Sequence, residues 1–316
     1  MESLFPTKNS IEEAVERIAP FVHRTPVYSS SSINAMLGME IFLKCENFQK
    51  IGAFKYRGAT NAVVTLSTDE RQYGVATHSS GNHAQALALA AKINGLKAYI
   101  VMPENSSSVK INAVRGYGAE VITCAPNQKS RESTLEEIIR KTGATLIHPY
   151  NNYSIIAGQA TAAKELIEEI KSLDIIMAPV GGGGLLSGTA LSAHYFSPRT
   201  LVIAGEPANA DDAYRSLQKG EIVAANPPDT IADGLLTSLG DKTFDIIRKY
   251  VDEIITVSEV EIIAAMRLIW ERMKIIIEPS SAVPLAAVIK AKDRFRGKRI
   301  GIIISGGNVD LNKLPF

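Results

Sequence analysis

Two cysteines, Cys45 and Cys124, are all that this 316-residue chain contains. Two thiols cannot build a disulfide framework or a cysteine-rich zinc site. Each therefore reads as a small buried apolar residue, and a reducing cytoplasm is the expected compartment. Net charge is missing too: 34 Lys and Arg stand against 33 Asp and Glu, a formal +1. That balance leaves no electrostatic footprint for nucleic acid or an anionic membrane. No apolar run reaches the ~20 residues that span a bilayer. The opening Met1-Glu2-Ser3-Leu4-Phe5-Pro6 lacks the charged-then-apolar order of a secretion signal. Low-complexity tracts and solenoid-length repeats are absent as well. What is left is an ordinary globular composition, 46% hydrophobic and 21% charged, on a chain long enough for two domains.

Short apolar runs alternate with amphipathic segments. The expected strands are Ile41–Lys44, Gly74–Thr77, Ala98–Met102, Glu120–Thr123, Thr145–Ile147, Ile175–Ala178, Leu201–Glu206 and Arg299–Ile304. Several are Val/Ile/Leu-rich without alternation, as strands covered on both faces should be. Ser10-x-x-Glu13 reads as a capping box before a helix that Pro20 closes, and Ser258-x-x-Glu261 opens another. Strands alternating with helices imply an α/β fold with mainly parallel sheets. Residues 74–149 form a candidate smaller α/β domain, inserted into a larger one made of residues 1–73 and 150–316. Ligands in such sheets bind beyond the carboxyl ends of strands, so a cleft between the two is the expected site.

Four motifs carry chemistry. In Gly52-Ala53-Phe54-Lys55-Tyr56-Arg57-Gly58-Ala59 a lysine follows an aromatic ring and an apolar strand. Desolvated there, its amine would be a nucleophile; taken alone, a Lys-x-Arg pair also reads as solvated surface charge. Gly181-Gly182-Gly183-Gly184-Leu185 lies between the strand Ile175–Ala178 and a helix from about Leu185 to Tyr195. Its backbone N–H groups can converge at a helix N-terminus, a phosphate cradle, and it has neither the G-x-G-x-x-G spacing nor the Gly-Lys-Ser/Thr of a Walker loop. Ser305-Gly306-Gly307-Asn308 ends an apolar strand and delivers a hydroxyl to the same edge. Thr77-His78-Ser79-Ser80-Gly81-Asn82-His83 leads into a helix over Ala84–Asn94; its hydroxyls, amide and free N–H groups suit a carboxylate, or a plain N-cap.

This combination resembles the fold-type II pyridoxal-phosphate enzymes, tryptophan synthase β-like in fold, and within them the serine racemase and serine/threonine dehydratase family. Lys44-Cys45-Glu46-Asn47-Phe48-Gln49-Lys50, Ile156-Ala157-Gly158-Gln159, Ile231-Ala232-Asp233-Gly234 and Glu271-Arg272-Met273-Lys274 extend the resemblance over nearly the whole chain. It implies two open parallel-sheet domains with the active site between them. It further implies that Lys55 carries pyridoxal 5'-phosphate as an imine, with Phe54 against the ring, Asn82 on the ring hydroxyl, Gly181 to Gly184 and Leu185 on the phosphate, and Ser305 at the pyridine nitrogen. Ser79, Ser80, Asn82 and His83 would meet the substrate, with Lys55 and Ser80 as the two acid/base residues. Arg131 matches a family arginine that could meet a second carboxylate. In Glu206-Pro207-Ala208-Asn209-Ala210-Asp211-Asp212, usually just a solvated acidic loop, the resemblance assigns Glu206, the Ala210 carbonyl and Asp212 to Mg²⁺, Mn²⁺ or Ca²⁺.

The chain departs from the animal racemases at Ile51, where they have threonine beside a nucleotide site, at Ala84 and at Tyr150. Lys110, Asn112, Ala113 and Tyr117 lie in the region comparable to that site, where ATP would bind between two subunits of a homodimer. No C-terminal regulatory domain follows Asn308, so feedback control through one is not expected. The expected activity is interconversion of L- and D-serine with elimination of serine to pyruvate and ammonia. A dedicated dehydratase for serine, threonine or threo-3-hydroxyaspartate is the alternative, and a nucleotide-binding α/β protein without pyridoxal phosphate is the alternative from another class.

Overall fold

A computed structural model of the chain describes residues 5–106, 108–225 and 229–316. Residues 1–4, which open the stretch read as lacking a secretion signal, lie outside the described residues. Ten strands form among the described residues: β1 (Val27–Tyr28), β2 (Glu40–Cys45), β3 (Val75–His78), β4 (Ala98–Pro103), β5 (Glu120–Cys124), β6 (Thr145–Leu146), β7 (Ile175–Pro179), β8 (Leu201–Pro207), β9 (Glu253–Val257) and β10 (Arg299–Ile304). Six make one sheet in the order β1-β2-β10-β7-β8-β9, and four make a second in the order β5-β4-β3-β6. Only β1 runs antiparallel among the paired strands.

The central strand β10 shows why these residues fold this way. Ile300 registers with Ile41 on one side and Ile175 on the other. Ile300, Ile302, Ile303 and Ile304 are all fully buried, the first, second and fourth packing into the core on one face and Ile303 into the core on the other. Eight strands match the expected runs with no end moved by more than one residue. The two unforeseen ones are the two-residue β1 and the edge strand β9.

One capping assignment is corrected. The helix Lys8–Ile18 is capped by Thr7, whose hydroxyl accepts from the Ser10 amide at 3.2 Å while the Ser10 hydroxyl accepts from the Thr7 amide. Ser10 is thus the third helical residue and not the cap, and Glu13 instead accepts from Asn9. Thr7, in extended conformation one turn earlier, satisfies the first free amides before Ser10 can. The Ser258–Glu261 box forms as expected ahead of the helix Glu259–Met273.

This topology positions the site. β2, β10 and β7 are neighbours and parallel, so their carboxyl ends lie side by side. The segment to Lys55 leaves β2, Ser305 leaves β10, and the four glycines leave β7. From the second sheet, β3 delivers Ser79 and Ser80, and β6 delivers His148 and Tyr150.

Candidate active site

Lys55 is the first residue of the helix Lys55–Val64, with Phe54 as its N-cap. The approach to it is laced to the end of β10. The Phe54 amide donates to the Ser305 carbonyl and the Gly307 amide to the Gly52 carbonyl, each at 2.9 Å. Ile51 holds φ at +60°, a costly left-handed conformation for a β-branched residue. The Asn308 side-chain amide donates to the Ile51 carbonyl at 2.7 Å and secures that turn. The Lys55 amine donates to the Pro149 carbonyl at 2.9 Å and lies 5.2 Å from the centre of the Phe54 ring. Burial lowers its pKa from 10.5 to about 8, against an opposing pull from Glu278.

Two residues on, Arg57 is fully buried, so the solvated reading of this Lys-x-Arg pair fails. Its guanidinium bonds Glu46 at 2.7 and 2.9 Å and Glu165 at 2.7 and 2.9 Å. Lys44 donates to the same Glu165 at 2.6 Å and to the Thr25 carbonyl. This buried cluster ties the lysine-bearing helix to β2 and to the helix Tyr153–Glu169.

The Ser79–His83 loop opens the helix Asn82–Ile93. Ser79 and Ser80 are partly exposed, and the Ser79 hydroxyl accepts from the Gly81 amide at 3.3 Å. Asn82 is fixed from both ends: its amide nitrogen donates to both oxygens of Glu278 at 3.0 and 3.1 Å, and its oxygen accepts from Asn308 at 2.9 Å. Glu278 also accepts from the Asn308 amide, and burial pushes its carboxyl up to about 7, with the Asp233 charge adding to the shift. The His83 ring lies against the Ile147 carbonyl through Nε2 at 3.0 Å, and burial pushes its pKa down to about 3. A carbonyl only accepts, so Nε2 carries the proton and the buried Nδ1, unpartnered among the described residues, does not. What His83 can offer a carboxylate is its backbone N–H. Arg131 has its Nε buried without a partner among the described residues, close enough to His78 to reinforce the downward shift that burial gives that imidazole.

Gly183 takes φ +87°, and the helix Gly184–Phe196 begins next to it. A β-carbon on Gly182 would lie 2.3 Å from the Tyr150 ring, and one on Gly181 2.8 Å from the Leu235 backbone, so neither place tolerates a side chain. Among the described residues, the amides of Gly182, Gly183, Gly184 and Leu185 find no protein acceptor. A row of free N–H groups at a helix start fits a phosphate. Tyr150, foreseen only as a departure from the animal enzymes, proves to be the wall against which this loop packs.

Ser305 is buried and pairs with Ser281, hydroxyl to hydroxyl at 2.9 Å; Ser281 also accepts from the Gly306 amide at 2.7 Å. Both partners are neutral hydroxyls. At the end of β8, Glu206 is buried and accepts from the amides of Ala213 and Tyr214, each at 2.8 Å. Burial raises Glu206 to about 8 and Asp212 to about 6, and the Asp212 Oδ2 is buried without a partner among the described residues. Ala210 lies in the 3₁₀ turn between them. Two raised carboxyls and an orphaned oxygen are a donor set that fits a hard cation.

Sequence reasoning missed Glu278, Ser281 and the Arg57 cluster. Glu278 did leave a signal: a lone acid between the apolar run Ile275-Ile276-Ile277 and Pro279 has no ordinary surface explanation.

Comparison with known proteins agrees with this geometry. A family profile described as pyridoxal-phosphate dependent enzyme matches residues 18–306. A serine racemase of Dictyostelium discoideum is 53% identical over 312 residues, covering 98% of this chain and 96% of that protein. A beta-hydroxyaspartate dehydratase of Paracoccus denitrificans is 50% identical over 311 residues, 98% of this chain and 99% of that one. The crystal structure of the Dictyostelium racemase superposes with a TM-score of 0.93 over 96% of this chain and 99% of its own. The nucleotide-binding alternative without pyridoxal phosphate falls with these findings, because the four glycines are part of a chain matched from end to end. The protein belongs to the fold-type II pyridoxal-phosphate dependent enzymes, with serine racemases and a hydroxyaspartate dehydratase among its relatives.

Proposed function

We propose that the protein interconverts L- and D-serine and, in the same site, eliminates serine to pyruvate and ammonia. The observation that carries this reading is the Lys55 amine, buried and weakened as a base, beside a row of free glycine amides and a loop of partly exposed serine hydroxyls from the other sheet. Bound through Lys55 and these amides, pyridoxal phosphate supplies the electron sink for the bonds at Cα. The amides of Gly181 to Gly184 and Leu185 would hold its phosphate, Asn82 its ring hydroxyl, Phe54 its ring face and Ser305 its nitrogen. Ser79, Ser80 and the first amides of the helix Asn82–Ile93 take the substrate carboxylate. Lys55, about half unprotonated near pH 8, removes the Cα proton. Ser80, which comes from the second sheet, returns a proton to the opposite face. When the β-hydroxyl leaves instead, the products are pyruvate and ammonia. A neutral Ser305–Ser281 pair toward the ring nitrogen would make a weaker sink than a carboxylate there, which would disfavour transamination.

A second reading, dehydration of 3-hydroxyaspartate, is favoured by Arg131. Its unpartnered Nε would meet a second carboxylate, and a relative at 50% identity is named for such a substrate. A product profile decides between them. Incubated with serine, threonine or 3-hydroxyaspartate, the enzyme should form D-serine and pyruvate together from L-serine. Ser80→Ala should abolish D-serine formation while keeping most pyruvate formation. Keto acid from 3-hydroxyaspartate with no D-serine from serine would install the second reading.

The same reading includes Mg²⁺, Mn²⁺ or Ca²⁺ at Glu206, the Ala210 carbonyl and Asp212, supported by the orphaned Asp212 oxygen. It includes residues 74–149 as an inserted domain, a homodimer, a cytoplasmic location and an ATP-type effector near Lys110, Asn112, Ala113 and Tyr117. Lys110 is paired with Asp233 at 2.8 Å, so a nucleotide phosphate would have to displace that carboxylate.

A further inference from the structure

The free glycine amides need something to aim them, because a run of four glycines has little conformational preference of its own. The structure assigns that task to Thr243, a positioning residue for the phosphate cradle. The inference rests on the reading that the cradle holds the cofactor phosphate. Thr243 is fully buried, the third residue of the helix Asp241–Tyr250, behind the glycine loop. Its hydroxyl accepts from the Gly240 amide at 2.9 Å and has one proton to give. Two carbonyls lie in reach: Gly182 at 2.9 Å and Gly240 at 3.1 Å. The Gly240 carbonyl already accepts the Phe244 amide at 2.8 Å, whereas no amide of the following helix reaches the Gly182 carbonyl among the described residues. The proton therefore goes to Gly182.

That one bond fixes a peptide plane. In a trans peptide the carbonyl of Gly182 and the N–H of Gly183 point in opposite directions. Anchoring the carbonyl on Thr243 at the rear turns the Gly183 N–H to the front, among the other free amides. The packing agrees: a β-carbon on Gly183 would lie 2.8 Å from the Thr243 β-carbon, so this residue backs directly onto the threonine. The Ser187 hydroxyl donates to the Thr243 carbonyl at 3.3 Å and holds the two helices in register.

The test uses the apoprotein and two probes, pyridoxal phosphate and pyridoxal, which lacks the phosphate. Each is titrated into wild type, Thr243→Val and Thr243→Ser, and binding is followed by absorbance. Losing one aimed donor should weaken pyridoxal phosphate binding by about tenfold in Thr243→Val. Pyridoxal binding should change less than about twofold, and Thr243→Ser, which keeps the hydroxyl, should bind both probes as wild type does. Equal weakening toward both probes, an unchanged affinity in Thr243→Val, or the same loss in Thr243→Ser would overturn the assignment. A wild type that does not distinguish the two probes would instead bring down the phosphate reading of the glycine loop, and this inference with it.

Discussion

The surroundings of Lys55 make its amine a poor place for a proton, which suits the role proposed for it. Desolvation lowers its pKa to about 8, and the opposing pull of the Glu278 carboxyl is the smaller of the two effects. The sign follows for the apoprotein. Between pH 8 and 10.5 the unfolded chain holds this proton and the folded chain does not, so this group adds stability as pH rises through that window. Reactivity follows the same curve: coupling of pyridoxal phosphate to the apoprotein, timed by absorbance, should accelerate with a midpoint near pH 8. A midpoint near the ordinary 10.5 would show the amine to be solvated.

At the scale of elements, the helix Lys55–Val64 is held where it is by charge as well as by packing. Arg57, Glu46, Glu165 and Lys44 form a closed buried group, and removing the guanidinium leaves Glu46 without its cation. Arg57→Met should cost about 3–5 kcal/mol in urea unfolding of the apoprotein. A loss below about 1 kcal/mol, the range of surface pairs, would mean that the cluster is solvated in solution. None of this was legible locally. The apolar runs announced eight strands, and glycine, serine and lysine announced the loops at their ends, because backbone requirements are written in the residues themselves. Burial of Arg57 is not, since its partners lie 11 and 108 residues away. Glu278 meets Asn82 across 196 residues of sequence, and Thr243 meets Gly182 across 61. β1 is two residues long, too slight to register as a run, whereas the five-residue edge strand β9 carries Ile254-Ile255-Thr256-Val257 and could have been read from it. The box at Ser10 was misplaced because Thr7 offers the same chemistry one turn earlier.

At the scale of the whole molecule, two sheets bring their strand ends to one place. Three adjacent strands of the larger sheet deliver the lysine, the serine and the glycines, and the smaller sheet delivers the hydroxyls and Asn82. Glu278 and Asn308 join the two sides by gripping Asn82 from the larger one. The proposed covalent anchor, Lys55, lies where these strand ends meet, and everything proposed about substrate and stereochemistry depends on it. The direct measurement is borohydride reduction of the holoenzyme followed by peptide mass mapping. The account predicts a single pyridoxyl adduct, on the peptide containing Lys55 and at that residue, and none in Lys55→Ala. An adduct on another lysine, or unmodified Lys55 in a protein that retains the coloured cofactor, would contradict it.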